Sequence, residues 1–173
     1  MKLKLLIATF FVSAFSFAQS TNLDTIESQM RYAAKQGLLD EYYPRNIDTL
    51  YGGYLSTFSF DFKPVGEQDK MIVTQARHTW STAKAAMFYH DTSYIPMSRH
   101  GFYFLRDKMW DKQYGGFYNL VSRDGRPKSI IKEAYGNAFA IYGLCAYYEC
   151  SGDTGALNLA KRTFIWLEKY SHD

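Results

Sequence analysis

The chain has 173 residues, of which 47% are hydrophobic and 18% aromatic, and its formal net charge is +3 at pH 7. This length suits one ordinary domain, and the chain lacks the clustered basic face that binding to a phosphate backbone requires. We therefore expect no nucleic-acid partner. The aromatic excess, which includes fifteen tyrosines, suits either a carbohydrate cleft or contacts between helices.

The first residues have the pattern of a secretory signal peptide. Two lysines precede an uncharged run over residues 5–17, and Ser16-Phe-Ala18 is an acceptable cleavage site. The apolar run is too short for a comfortable membrane span. We expect residues 1–18 to be removed and the mature chain, residues 19–173, to be exported to the periplasm or the extracellular space without a membrane anchor.

Three segments have the spacing of amphipathic helices, with apolar residues three and four apart. They cover residues 23–39, 94–109 and 156–170, and Asp153 is a suitable cap for the last one. We predict that each of these helices has one side against the core and one side in water.

Two further helical segments carry few charges. Residues 71–87 include only Arg77 and Lys84 as full charges, and residues 134–148 include none. A helix that is apolar or small on all sides is buried on all sides. We therefore predict that both segments are buried inner helices.

One part of the chain occurs twice. Asp48-Thr-Leu-Tyr-Gly-Gly-Tyr54 returns 63 residues later as Asp111-Lys-Gln-Tyr-Gly-Gly-Phe117, and the two inner helices align without gaps at a shift of 62 residues. Such repetition indicates one supersecondary unit that needs its neighbours to bury its apolar face. After each Gly-Gly pair the sequence predicts a short strand or hairpin. Amphipathic outer helices alternate with inner helices that carry few charges. This alternation predicts an all-α toroid of helical hairpins, with a two-layer solenoid as the competing geometry.

Arg77 is the strongest candidate for a catalytic role. A cation in the middle of an inner helix is costly unless it is paired or used, and the second unit has Phe139 at this position. An arginine that points into a polar bore could hold a developing oxyanion; the alternative is a salt bridge to a loop carboxylate. Tyr135 and Asn137, near the start of the second inner helix, could hydrogen-bond a polyol or satisfy groups at the helix end.

Other residues point to structure rather than chemistry. Lys70 and Lys132 recur in the repeat, so we predict a structural role for both. Cys145 and Cys150 lie five apart on one helix, too distant to bridge, and we predict that both are small buried hydrophobes. The histidines lack metal-ligand spacing and no nucleotide fingerprint is present, so we predict neither a metal nor a cofactor.

The chain resembles the N-acylglucosamine 2-epimerase family, which includes cellobiose 2-epimerases and aldose–ketose isomerases. The matching motifs are Asp48-x-x-Tyr-Gly-Gly53, Lys70-x-x-x-x-Gln-Ala-Arg77-x-x-Trp80, His100-Gly-Phe-x-Phe-Leu105, Asp111-x-x-x-Gly-Gly116-Phe-Tyr and Lys132-x-x-Tyr135-x-Asn-Ala-Phe139-x-Ile-Tyr142-Gly. The resemblance implies an (α/α)6 barrel, of which residues 19–173 are expected to form about two and a half of six units.

The resemblance also implies a mechanism. In the family a histidine removes the proton α to the carbonyl of an open-chain sugar, an enediolate forms, and a second histidine returns the proton on the other face. The arginine that matches Arg77 stabilises the enediolate oxygen, and the tyrosine that matches Tyr135 contacts the sugar. Trp80 and Asn137 are predicted as further substrate contacts. Because the family's histidines and their partner glutamate lie on later inner helices, we expect no epimerase activity from this chain alone.

Two other functions stay open. Glycoside hydrolases and polysaccharide lyases use the same toroid, and a non-catalytic glycan-binding piece would keep the aromatic lining. A hydrolase needs paired carboxylates at the rim, and the sequence offers no convincing pair. If the chain acts in its short form, we expect the bare edge of the third unit to cause homodimerisation or misfolding.

Overall fold

The computed structural model describes residues 22–171, in which six α-helices account for most of the chain. The helices are α1 Leu23–Ala34, α2 Asp40–Asn46, α3 Ile72–Tyr89, α4 Tyr94–Phe104, α5 Ala134–Ser151 and α6 Thr154–Tyr170. Two π-helical turns, Lys35–Leu39 and Leu105–Met109, join α1 to α2 and extend α4. Two short strands, β1 Lys70–Met71 and β2 Leu120–Val121, pair antiparallel. The predicted signal peptide lies outside the described residues, and no helix within them is long and apolar enough to cross a bilayer.

The helices form two layers. α3 and α5 pack so closely that a Cβ atom on Gly143 of α5 would lie 2.6 Å from the carbonyl oxygen of Ala76 in α3. α4 packs against both of these helices, and α6 packs against α5. α3 and α5 are thus inner helices, whereas α4 and α6 are outer helices. The predicted all-α arrangement of helical hairpins is confirmed.

The core lies between the two layers. Its main cluster joins α3, α4, α5 and α6, and its fully buried members include Ile72, Phe102, Leu105 and Leu144. Burial of each such side chain contributes roughly 1.5–3 kcal/mol. α1 differs from the other outer helices because none of its residues is buried. The predicted core-facing side of this helix is therefore not covered within the described chain.

The inner helices are not buried on all sides, so that prediction is wrong. One stripe of α3 and one of α5 are open to solvent, and they include Arg77, Tyr135 and Tyr142. Both stripes lie on the side away from the outer helices, where no other described element covers them. We call this side, which also carries Trp80 and Phe139, the inner face.

A tight turn opens the hairpin of the first unit. The backbone N–H of Asp48 donates to the carbonyl oxygen of Gly53 at 2.9 Å, and the N–H of Gly52 donates to that of Asp48 at 2.9 Å. The Asp48 Oδ1 atom accepts from the N–H groups of Leu50 and Tyr51. The two glycines have φ values of +84° and +69°, which a residue with a Cβ atom rarely adopts. The Asp-x-x-x-Gly-Gly sequence therefore specifies this turn.

Lys70 holds the turn from inside the protein. Its Nζ atom donates to Asp48 Oδ2 at 2.8 Å, to the Gly52 carbonyl oxygen at 2.5 Å and to the Arg123 carbonyl oxygen at 2.9 Å. Arg123, from the hairpin of the second unit, donates to the same carboxylate at 2.9 and 3.1 Å. Burial lowers the pKa of Lys70, yet three acceptors fit its ammonium form. Burial also acts to raise the pKa of Asp48, but Arg123 and Lys70 outweigh it and hold that pKa well below its ordinary value.

The second unit repeats the turn. The Asp111 N–H donates to the carbonyl oxygen of Gly116 at 2.9 Å, and the Gly115 N–H donates to that of Asp111 at 3.0 Å. Lys132 Nζ donates to Asp111 Oδ2 at 2.6 Å and to the Gly115 carbonyl oxygen at 2.7 Å. The structural role predicted for Lys70 and Lys132 is confirmed.

Backbone pairing also joins the two units. β1, which leads into α3, pairs with β2 in the hairpin of the second unit, and the register places Lys70 opposite Val121 and Met71 opposite Leu120. The N–H of Ile72 continues this ladder to the carbonyl oxygen of Asn119 at 3.0 Å. As predicted, each hairpin follows the outer helix of its own unit. The strands β1 and β2, however, come from different units and pair with each other.

Replacement of Asp48 by asparagine should lower the free energy of unfolding by roughly 3–5 kcal/mol, because the buried Lys70 ammonium loses its counter-charge. Urea denaturation at pH 7 measures this loss. Asp61→Asn is the control, since Asp61 pairs with Lys63 at the surface, and it should cost far less.

The loss of unfolding free energy in Asp48→Asn depends on pH. The pKa of Asp48 is lowered by folding from an unfolded-state value of about 4, so its stabilisation is present above that pH and is lost as the pH falls below it. The difference between the wild-type chain and Asp48→Asn should therefore shrink in acid. Equal losses in the two variants at pH 7 would contradict the role assigned to this ion pair.

Candidate functional site

Arg77 lies in the middle of α3 on the inner face, and its side chain is exposed. The prediction of a buried cation is wrong, because α3 turns this position away from α4. None of the ion pairs within residues 22–171 involves Arg77. The predicted alternative, a salt bridge to a loop carboxylate, is therefore not observed either. The guanidinium is available to a ligand.

Aromatic side chains line the inner face beside Arg77. Trp80 stacks on Tyr142, with ring centroids 4.8 Å apart and planes inclined by 16°. Phe139 meets Tyr142 edge-on at 5.9 Å and Tyr135 edge-on at 5.0 Å. Tyr135 is 63% exposed. These rings offer apolar faces, and the tryptophan N–H and the tyrosine hydroxyls are polar. The row can therefore contact the C–H groups of a sugar ring and hydrogen-bond to its hydroxyls.

Two cations lie close to this aromatic row. Burial raises the pKa of the Tyr142 hydroxyl, and the charges of Arg77 and Lys84 act in the opposite direction. Lys84 is engaged with Glu149 of α5 at 2.5 Å. Because Lys84 is already paired, Arg77 is the cation on this part of the described inner face that can bind an anionic or polar group.

A groove of about 350 Å³ lies beside Arg77 on the side that faces α2. It is lined by Leu38, Leu39, Tyr42, Tyr43, Thr74, Arg77, His78 and Ser81. The hydroxyls, the imidazole and the guanidinium in this lining suit hydrogen bonds to a polyol.

His78 is the group in this lining whose ordinary pKa lies nearest to neutrality. Its Nδ1 atom lies 3.2 Å from the Tyr43 hydroxyl. Burial lowers the pKa of His78 to about 4, and the charge of Arg77 adds to this. The imidazole is therefore neutral at pH 7 and a weak base, poorly matched to proton abstraction at that pH.

Asn137 has a structural role, which is the alternative that the sequence left open for it, and its side chain is not placed to contact a substrate. Its fully buried side chain accepts from the N–H of Phe117 at 2.8 Å and donates to the carbonyl oxygen of Glu133 at 2.9 Å. In the first unit Gln75 likewise accepts from the N–H of Tyr54 and donates to its carbonyl oxygen, both at 2.8 Å. Each amide ties a hairpin to an inner helix, which leaves no group free for a ligand.

The sequence reasoning left out two residues of the site. Tyr142 occupies the position of Trp80 in the second unit, and Ser81 lies one helical turn from Arg77. The repeat alignment and the helical period respectively would have identified them.

The cysteines and the acidic residues add no site here. Cys145 and Cys150 are free, as predicted, but half-buried rather than buried. Within residues 22–171, no group of histidine, cysteine and carboxylate side chains could hold a metal ion.

Comparison with known proteins places this geometry in a family. Residues 52–173 match the family model for N-acylglucosamine 2-epimerase (GlcNAc 2-epimerase). A cellobiose 2-epimerase of Ruminococcus albus is 33% identical over 122 residues, which cover 70% of this chain and 31% of that relative. The chain thus spans about a third of the length of the curated relatives that it matches.

Solved structures agree with the match. The structure of cellobiose 2-epimerase from Spirochaeta thermophila superimposes with a TM-score of 0.79 at 33% identity, and the match covers 85% of this chain and 36% of that one. A GH76 α-mannanase from Bacteroides thetaiotaomicron has a TM-score of 0.62 at 19% identity over 87% of this chain and 39% of its own, which shows a shared fold alone. These neighbours confirm the predicted likeness to the (α/α)6 barrel. Because the family model covers more than half of its length, the chain belongs to the N-acylglucosamine 2-epimerase family.

Proposed function

We propose that this chain forms the arginine-bearing wall of a site that epimerises or isomerises a sugar. The observation that carries the proposal is the unpaired guanidinium of Arg77 beside the stacked Trp80–Tyr142 pair. The family supports a sugar as the ligand, since the matched relatives are cellobiose 2-epimerases. We infer a mono- or disaccharide that reacts in its open-chain form.

Arg77 acts electrostatically in this proposal. Removal of the proton α to the sugar carbonyl places negative charge on an enediolate oxygen, and a fixed cation with N–H donors stabilises that charge. α3 is packed between α4 and α5, so the side chain of Arg77 extends from a helix that is held on two sides. The Trp80–Tyr142 pair contacts the sugar with one free ring face, and the exposed Tyr135 hydroxyl hydrogen-bonds to it.

The proton-transfer groups come from outside this wall. Among the described histidines, His78 is a weak base, and His90 ends α3 in a left-handed conformation. His100 Nε2 lies 2.9 Å from the Gly53 carbonyl oxygen and is thereby tied to a turn. We therefore propose that the general acid and base belong to further inner helices of a complete barrel. The lack of such groups typically costs about 10²–10⁴-fold in rate, so the chain alone does not epimerise.

A hydrolytic function has less support. Retaining and inverting glycosidases need two carboxylates on either side of the scissile bond. On the described inner face, Glu149 is engaged by Lys84. The likeness to the α-mannanase is one of fold and brings no catalytic pair with it.

The test places the chain in the context of a complete relative. In a chimera, residues 52–173 replace the matching segment of the Ruminococcus albus cellobiose 2-epimerase, and cellobiose is incubated in deuterated water. We expect deuterium at C2 of the reducing sugar. Arg77→Gln should lower kcat by about 10²–10³-fold, because one oxyanion donor is lost, and mass spectrometry follows the exchange.

Arg106→Gln is the matched control, since Arg106 is an arginine of the outer layer that pairs with Asp107 at the surface. It should leave the exchange rate unchanged. Undiminished exchange in Arg77→Gln, a folded chimera without exchange, or an increase in reducing ends in place of deuterium would each contradict the proposal.

We also propose that the protein is exported, on the basis of the signal-peptide pattern in residues 1–18. Amino-terminal sequencing of the protein secreted by a bacterial host should begin at Gln19. Retention in the cytoplasm with Met1 intact would contradict this.

A further inference from the structure

A groove of about 260 Å³ lies in the outer layer, between α6 and the Gly-Gly turn of the second unit. It is lined by Trp110, Gly115, Arg162, Ile165, Trp166, Lys169 and Tyr170. We call it the tryptophan groove. Three aromatic rings and two cations share this small concave surface, and none of its lining residues carries a carboxylate.

The indole N–H of Trp110 is a buried donor without a partner. Trp110 is only 7% exposed, and its Nε1 atom forms no hydrogen bond within residues 22–171. A Cβ atom on Gly115 would lie 3.7 Å from Cζ2 of Trp110. Because Cζ2 and Nε1 are bonded to the same ring atom, the N–H edge of this indole lies towards Gly115, at the wall of the groove. Such donors are rare, since they have lost water without gaining an acceptor in its place.

A second indole meets the same glycine. The Cβ atom on Gly115 would lie 2.9 Å from Cδ1 of Trp166 and 3.7 Å from its Nε1 atom. The lack of a side chain at Gly115 thus lets both rings reach the turn. The N–H edges of Trp110 and Trp166 converge at this end of the groove.

Two cations lie on aromatic rings of the groove. The Arg162 guanidinium is 4.9 Å from the ring centroid of Trp110, and the Lys169 ammonium is 4.9 Å from that of Tyr170. Neither cation forms an ion pair with a carboxylate of residues 22–171. Guanidinium and ammonium groups form short, charge-assisted hydrogen bonds to carboxylate and phosphate oxygens. The polar groups of the groove are therefore mainly donors, and they suit an oxyanion.

The two units can be compared at this place because α4 and α6 meet their turns in the same way. A Cβ atom on Gly53 would lie 2.7 Å from the ring of Phe104, and one on Gly116 would lie 2.7 Å from the ring of Trp166. This equivalence aligns α6 with α4 at a shift of 62 residues. Side chains that the fold itself requires should be alike at the aligned positions.

Three groove positions differ between the units: Arg162 stands in place of His100, Lys169 in place of Asp107 and Trp110 in place of Ile47. His100 is held by the carbonyl oxygen of Gly53 at 2.9 Å, whereas Arg162 lies on an indole instead. The first unit thus has an acid, a bound imidazole and an aliphatic side chain where the second has two cations and an indole. The repeat does not require these donors, which leaves them for a ligand.

We propose that the tryptophan groove binds a sugar that carries an oxyanion, either a carboxylate or a phosphate. The oxyanion accepts from Arg162 and Lys169, and a small shift of the exposed Arg162 side chain lets it reach the N–H of Trp110. The sugar ring lies against the faces of Trp166 and Tyr170. The volume of about 260 Å³ suits one ring, since drug-sized ligands occupy about 300–1,000 Å³.

This site is separate from the inner face. None of its residues contacts Arg77 or the Trp80–Tyr142 pair, so this proposal and the proposed function can fail independently. Cellobiose is neutral and lacks the oxyanion, and we therefore do not expect it in the tryptophan groove.

NMR spectroscopy of the ¹⁵N-labelled chain tests the site through the indole N–H signals of Trp110 and Trp166. Glucuronate supplies a carboxylate, glucose 6-phosphate supplies a phosphate, and glucose is the neutral probe. We expect the anionic sugars to move both signals in a saturable way, and glucose to leave them in place. A response to one anionic sugar alone would support the site and identify its oxyanion.

Arg162→Gln is the test variant. It should raise the Kd of the anionic sugar about tenfold or more, because a charge-assisted hydrogen bond is lost. Lys161→Gln is the matched control, since Lys161 is the neighbouring cation of α6 and lines a different groove; it should leave the Kd unchanged. Both side chains are exposed, so both variants should fold.

Four results would overturn the proposal. They are the absence of a response to either anionic sugar, an equal response to glucose, an equal affinity for inorganic phosphate, and a Kd that Arg162→Gln changes no more than Lys161→Gln does. Equal affinity for inorganic phosphate would mean that the sugar ring contributes nothing. An equal effect of the two variants would mean that only the net charge of α6 matters.

Discussion

The aspartate–lysine pair at each Gly-Gly turn is the interaction on which the rest of the structure depends. Asp48 and Lys70 are both fully buried, and such charges are tolerated only when partners surround them closely. The pair joins the end of an outer helix, the turn and the strand that starts an inner helix. The pair recurs as Asp111 and Lys132. Lys70 also donates to the carbonyl oxygen of Arg123 in the second unit, and β1 pairs with β2. These contacts join the units so that α3 and α5 lie side by side, which gives Arg77 its place on the inner face.

Positions that recur between the units hold the fold, and positions that differ are available for function. The amide oxygens of Gln75 and Asn137 accept from equivalent backbone N–H groups, those of Tyr54 and Phe117, in successive units. Two residues further along each helix the repeat is broken, with Arg77 in one unit and Phe139 in the other. A comparison of the two units therefore separates structural from functional side chains without any outside reference.

Much of the fold could be predicted from the sequence, because Gly-Gly turns and helical periodicity are local signals. The bounds of α3 and α5 lie within a few residues of the predicted ones. Burial is less well determined: the apolar character of α3 does not reveal which side lacks a neighbour, so the sequence does not predict the exposure of Arg77. The sequence leaves two roles open for Asn137, since an amide near a helix start suits both a ligand and a backbone contact; its alignment with Gln75 favours the backbone contact.

The central claim is that the sugar meets the inner face and not the outer layer. The chain has three tryptophans, of which Trp80 lies on the inner face, while Trp110 and Trp166 line a separate groove beside α6. The most direct measurement is an NMR titration of the ¹⁵N-labelled chain with cellobiose, read at the three indole N–H signals. The account predicts that the Trp80 signal moves while the other two stay; movement confined to Trp110 or Trp166 would contradict it.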